Sequence, residues 1–243
     1  MNSSDGTRGI QDLRLTDCDE FAAAAHELKT PIAVALALCA SATETNNPIA
    51  MRRDIGRIAA NVRAVREQLD VLLDAEHLRG DTALRLERVN IAALVREAAT
   101  RFTCVAARRR VTVAVDAPAD LAGVVDRDRL GVAVRNLIAN AVRHARDGGI
   151  VRMRLSELRQ HSRARIEVAD DGPGVPEALR DAVFERYRRF DGGGRSSGSG
   201  IGLAVVRDIA LAHGGDVTVG AAPEGGALFA LELPLAAAAV DAA

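Results

Sequence analysis

In the first third of the chain, apolar residues recur at helical spacing. From Phe21 to about Ala42 they fall at Leu28, Ile32, Ala35, Leu36 and Cys39, which predicts a helix. TETNNP (43–48) reads as a loop, and Pro48 suits the first turn of the next helix. That second helix runs to about Leu78 on Ile49, Ile55, Ile58, Val62, Val65, Leu69, Leu72 and Leu73. Two antiparallel helices with apolar stripes form a hairpin, and a lone hairpin has nothing to bury both stripes against. A second copy would complete a four-helix bundle, so a homodimer is expected.

After the linker-like RGDTAL (79–84) the pattern changes. LERVN reads as a strand, IAALVREAATRFTCVAARR as a helix, and VTVAVD alternates like a strand. A helix from Asp128 to about Arg146 ends at a Gly pair, and IVRMRLSEL and RARIEVADDG pair as strands. A glycine-rich segment, 191–202, precedes the helix LAVVRDIALAHGG and two closing strands, DVTVGAA and ALFALELP. The pattern predicts two domains: an all-α hairpin, then an α+β domain with helices on one face of a largely antiparallel sheet. The divisions are an N-terminal segment 1–19, the hairpin 20–78, a linker 79–84, the α+β domain 85–235 and an Ala-rich tail 236–243.

Composition narrows the possibilities. An apolar fraction of 48% supplies a core, and 32 basic against 33 acidic residues exert no general pull toward nucleic acid or anionic lipid. Cys18, Cys39 and Cys104 are scattered without metal-ligand spacing, which suits a reduced compartment, with Cys39 placed in the core. There is no basic-then-apolar leader, and no run approaches the roughly 18 apolar residues of a membrane helix. The expected location is the cytoplasm, either as a free protein or as the cytoplasmic portion of a membrane-bound sensor. His77 and His161 read as solvated, and His213 as part of a helix end.

Four motifs carry the chemistry. In HELKTP, a neutral His26 ring nitrogen is a nucleophile near neutral pH, Glu27 can hold the other ring N–H, and Thr30 lies one turn on along the same face. Pro31 removes a backbone donor and loosens the helix beside the histidine. In NLIANAVRHA, Asn136 and Asn140 share a helix face, and amide oxygens can ligate a hard cation. Arg143 and His144 follow where anionic groups would lie. DDGPGVP ends a strand, with an acceptor at Asp170 and close backbone approach at Gly172 and Gly174. In VFERYRRFDGGGRSSGSGIGLAVV, Phe184 is a packing residue and Arg188 and Arg189 are cations flanking a glycine-rich lid. Gly198, Gly200 and Gly202, followed by Leu203, run into a helix N-terminus that favours phosphate. GSGIG lacks the spacing and the preceding strand of a dinucleotide fingerprint.

These motifs, in this order, resemble those of sensor histidine kinases of two-component systems. F-x4-HELKTP resembles the phosphoacceptor box of the dimerisation domain, with Lys29 for Arg and Ile32 for Leu. The others resemble the N, G1, F and G2 boxes of the GHKL (Bergerat) ATP-binding sandwich. The resemblance covers about residues 20–235. It implies autophosphorylation of His26 from Mg-ATP and transfer to an aspartate of a response-regulator receiver domain. It further implies Asn140 as the Mg²⁺ ligand, with Asn136, Arg143, His144 and the arginines around the lid on the phosphates, Asp170 reading adenine and Asp171 at a variable position. Glu27 to Thr30 also matches the family's phosphatase spacing. No sensor domain is recognisable, so a separate sensor protein is a further expected partner. Two other classes remain open: a GHKL-type serine kinase or ATPase, and a non-catalytic dimeric scaffold.

Overall fold

The computed structural model describes residues 29–45, 47–62, 65, 83–186, 188 and 200–235. The chain forms two compact units, one ending at Asp74 and the other beginning at Ala75. No helix among the described residues is long and apolar enough to cross a membrane.

In the first unit, residues 29–44 (α1) and 48–62 (α2) are helical. Asn47 caps α2, its side-chain oxygen accepting from the N–H groups of Ile49 and Ala50, and Pro48 occupies the first turn. The positions drawn out of solvent are Pro31, Ala35, Leu38, Ala42 and Thr45, and on the second helical stretch Ala50, Asp54, Ile58, Ala59, Asn61 and Val65. Apart from Ala59, both series step by three and four, the spacing of a coiled-coil seam. The expected stripe is therefore displaced. Ile32, Leu36 and Cys39 on α1, and Ile49, Ile55 and Val62 on α2, are exposed on this chain. Small residues let the helices approach each other, so the larger apolar side chains are left on outward faces. Cys39 is thus not a core residue of the single chain, contrary to expectation. Asp54 is buried on α2 and accepts from the Ser41 hydroxyl at 3.1 Å.

The second unit runs β1 (Leu86–Asn90), α3 (Ile91–Arg108), β2 (Thr112–Asp116), β3 (Ala122–Asp126), α4 (Arg127–His144), β4 (Ile150–Leu158), β5 (Arg163–Asp170), α5 (Gly202–Ala212), β6 (Asp216–Ala221) and β7 (Ala227–Pro234). Five strands form a mixed sheet in the order β2-β4-β5-β7-β6. Only β2 and β4 run parallel. β1 and β3 form a separate antiparallel pair.

Strict alternation in β5 buries Ala164, Ile166, Val168 and Asp170, and turns Arg163, Arg165 and Glu167 outward. The outward face carries ion pairs, Arg165 bridging Glu167 and Glu232 at 3.0 Å each. The inward face packs with the apolar sides of α3, α4 and α5, where Val95, Leu137, Ile138 and Ile209 are buried.

The ends of the elements match expectation within a few residues; β3 was not foreseen. Its AGVVD is short, carries Gly123 and follows a Pro-containing loop, so it offers little periodic signal. Gly123 fits closely there, since a methyl group would sit 3.0 Å from Ile91 Cδ1 and 3.1 Å from Leu235 Cδ2 and push those side chains aside. Asp126 ends β3 and caps α4, accepting from the Arg129 N–H, while its second oxygen accepts from the Arg85 N–H. His213, at the end of α5, accepts from the Asp126 N–H through Nε2 at 3.0 Å and donates from Nδ1 to the Ile209 carbonyl at 2.8 Å. Burial lowers its pKa, so the neutral ring with the proton on Nδ1 satisfies both bonds.

Ile166 and Leu231 are register partners and wholly buried. Ile166→Ala is expected to cost about 3 kcal/mol in denaturant unfolding, by the lost transfer energy and the cavity left behind. Because the two side chains share that cavity, adding Leu231→Ala should give a total smaller than the sum of the two single losses.

Candidate functional site

α4 is the spine of the site. Its inward residues Leu130, Val134, Leu137, Ile138 and Ala141 bury it in the core, leaving Asn136, Asn140 and Arg143 half-buried. Asn136 donates from its side-chain amide to the Val132 carbonyl. Its Oδ1 faces α5, for a methyl group on Gly202 would lie 2.6 Å from that oxygen. The last turn of α4 faces the β5 end, since a methyl group on Gly172 would meet the His144 carbonyl oxygen at 2.4 Å. These contacts lie eight residues apart on α4, roughly 12 Å along the axis. The fold therefore brings together the three segments carrying Asn136–His144, Asp170–Gly174 and Gly200–Leu203.

Asp170 is 4% exposed because it occupies the inward register of β5. Its Oδ1 accepts from the N–H groups of Gly172 at 2.9 Å and Ala227 at 3.3 Å. Its Oδ2 is buried with no hydrogen-bond partner among the described residues. Desolvation raises the pKa of this carboxyl, the two backbone donors oppose the rise, and the neighbouring charge of Asp171 adds to it. A buried acceptor without a donor costs stability, and a donor supplied by a ligand would relieve that cost.

The turn between β6 and β7 closes over this carboxylate. Gly226 has φ +85°, and a methyl group on it would lie 2.0 Å from the Asp170 carbonyl oxygen. Gly174, at φ +76°, approaches the Gly226 carbonyl. The turn's role escaped the sequence reading, although the Gly225–Gly226 pair marks a tight turn.

α5 begins at Gly202 with no side-chain cap and no acidic residue in its first turn. Gly200 just ahead of it has φ +65°. The first turn of this 11-residue helix presents the positive end of its dipole. Leu203 is half-buried in that first turn. Phe184 is buried edge-on against Phe229, with ring centroids 6.2 Å apart, and the Arg207 guanidinium lies over its ring.

His144 is held below its ordinary pKa by desolvation and by the charges of Arg143 and Arg109, so it is neutral near pH 7. Arg188 is exposed and pairs with Glu185. His26, Glu27, Arg189 and Gly198 lie outside the described residues. Thr30 is exposed on α1. The described residues contain no group of three or more His, Cys, Asp or Glu side chains able to hold a metal ion. Asn136 and Asn140 both carry amide oxygens on half-buried positions of α4.

Residues 125–237 match the family described as histidine kinase-, DNA gyrase B-, and HSP90-like ATPase. The sensor histidine kinase TmoS of Ectopseudomonas mendocina is 32% identical over 93% of this chain and 24% of its own length. The chain thus spans about a quarter of that curated relative. The solved structure of the mycobacterial sensor histidine kinase MprB aligns with 63% of this chain and 99% of its own, at 31% identity and a TM-score of 0.54. Full-length ShkA in complex with AMPPNP aligns with 77% of this chain and 40% of its own, at 30% identity and a TM-score of 0.62. The chain belongs to the sensor histidine kinase family, and its second unit carries that family's α/β ATPase-type domain.

Proposed function

We propose that this chain is the kinase core of a two-component system, autophosphorylating His26 from Mg-ATP and passing the phosphoryl group to an aspartate of a response-regulator receiver domain. The observation that carries the nucleotide half of this reading is the buried Oδ2 of Asp170, without a hydrogen-bond partner among the described residues, at one end of α4, with the start of α5 at the other. An adenine amino group supplies the missing donor, and the α5 N-terminus, Arg143 and His144 face the phosphates. ShkA, 30% identical, is solved with AMPPNP. Mg²⁺ would neutralise charge on the phosphates, with Asn140 as its protein ligand.

In the transfer, the His26 Nε2 lone pair bonds to the γ-phosphorus, and the bond from that phosphorus to the bridging oxygen breaks, releasing ADP. Glu27 holds the Nδ1–H and stabilises the positive charge that the ring acquires. Domains of 20–78 and 85–235 joined by 79–84 would let the nucleotide site visit the histidine and withdraw. The outward residues Ile32, Leu36, Ile49, Ile55 and Val62 supply the face for a second copy in a four-helix bundle, which supports the homodimer. Thr30, exposed on α1, would place a water against the phosphorylated receiver and give phosphatase activity.

Three outcomes test this reading. Incubation with γ-labelled Mg-ATP should label the wild type with acid-labile, alkali-stable phosphate and leave His26→Gln unlabelled. Equal labelling of both would point instead to a GHKL serine kinase. For Thr30→Ala, autophosphorylation should persist while release of phosphate from a phosphorylated receiver is lost; full retention of that release would remove the phosphatase role.

Asp170→Asn separates binding from folding. The raised pKa means that the carboxyl favours the fold when protonated, and that this contribution is lost as pH rises through its folded-state value. At neutral pH the buried charge therefore costs stability. The asparagine keeps an oxygen toward the Gly172 and Ala227 N–H groups and places its NH₂ where Oδ2 was. Thermal unfolding at pH 7 should show equal or higher stability, while ATP affinity falls roughly a hundredfold or more because two donors now face each other.

A further inference from the structure

The connection following α4 is held by two side chains from separate elements. Arg109, just after α3, donates from its guanidinium to the carbonyls of Val142, Arg143 and Ala145 and to the Asp147 carboxylate, all within 2.9 Å. It caps the last turn of α4, which carries Arg143 and His144. Asp171 grips the next stretch, its Oδ1 accepting from the Arg146 N–H at 3.0 Å and its Oδ2 from the Ile150 N–H at 3.2 Å.

Gly149 lies against that carboxylate. A methyl group there would sit 2.2 Å from Asp171 Oδ2 and 2.5 Å from Oδ1, so the grip requires glycine at this position. Sequence reading gave Asp171 no role, because an acidic residue between Asp170 and Gly172 looks like ordinary turn chemistry. In the fold, consecutive residues face different tasks. Asp170 turns into the site with one free oxygen, and Asp171 turns to the connection that leaves α4.

We propose that Asp171 is a positioning residue for nucleotide binding, latching the end of α4 to the base-reading turn so that Arg143 and His144 keep their place relative to Asp170. The inference rests on the nucleotide-site reading above and adds a residue to it. The carboxylate is suited to the task because its two oxygens accept from two backbone donors four residues apart, both charge-assisted. Loss of both bonds frees the connection, and with it the contact between the His144 carbonyl and Gly172.

The test is calorimetric titration of the whole chain with AMPPNP and Mg²⁺, with thermal unfolding followed in parallel. Asp171→Ala should bind roughly tenfold more weakly, the scale of one to two lost charge-assisted bonds, while remaining folded. Asp171→Asn, which keeps one acceptor, should fall between the two. Gly149→Ala should weaken binding beside Asp171 and add little when combined with Asp171→Ala, because the obstructing carboxylate is then gone. Wild-type affinity in folded Asp171→Ala would overturn the inference. So would equal losses in the Ala and Asn variants, since binding would then not follow the number of acceptors kept at this position. If Asp171→Ala does not fold, wild-type affinity in both Asp171→Asn and Gly149→Ala would overturn it. Failure of the wild type to bind AMPPNP would overturn the nucleotide-site reading first, and this inference with it.

Discussion

Placing a carboxylate in the inward register of a central strand is the constraint to which the rest of the site answers. Residues before Asp170 at even positions of β5 are apolar and meet the helices. Continuing that register to the strand end puts a charge where water does not reach. The fold compensates one oxygen with two backbone donors, brought by the turn after β5 and by the start of β7. Both donors come within reach only because glycines at 172 and 226 let the chain pass closely. The other oxygen is left without a partner, and this local instability is what a ligand can use.

α4 links that oxygen to the rest of the site. Its apolar face locks it into the core, so its polar face has little freedom to drift. One end touches the start of α5 through Asn136 and Gly202, and the other touches the β5 turn. Its own ends are fixed by borrowed groups: Asp126 at the start, itself held by His213 from α5, and Arg109 at the finish. A helix pinned at both ends in this way fixes the distance between the α5 start and the β5 turn.

The sequence made the strands and helices of the second unit legible, because alternation in 163–170 and helical spacing in 127–144 are long and uninterrupted. Motif order also pointed to the segments carrying Asn136, Asp170, Gly172 and Gly202, which the fold brings near one another. What the sequence hid is of two kinds. β3 is too short to carry a period and is defined by its pairing with β1. Arg109, Asp171 and His213 act over separations of 21 to 87 residues, and nothing in the local pattern marks which of many arginines, aspartates or histidines will make such contacts. In the hairpin, periodicity identified apolar positions but not which face meets which partner. That was decided by the close approach that Ala35 and Ala42 permit.

The turn joining β6 to β7 ordinarily belongs to the part of a fold where evolution experiments freely, since hairpin tips accept insertions and drift in sequence. Here that freedom is withdrawn. The tip carries two successive residues in left-handed backbone, and its second glycine lies against the Asp170 backbone. An added residue would displace the Ala227 N–H from the carboxylate it supports. A surface loop thus carries a donor for a buried carboxylate, so a change in its length is felt in the interior of the domain as well as at the tip.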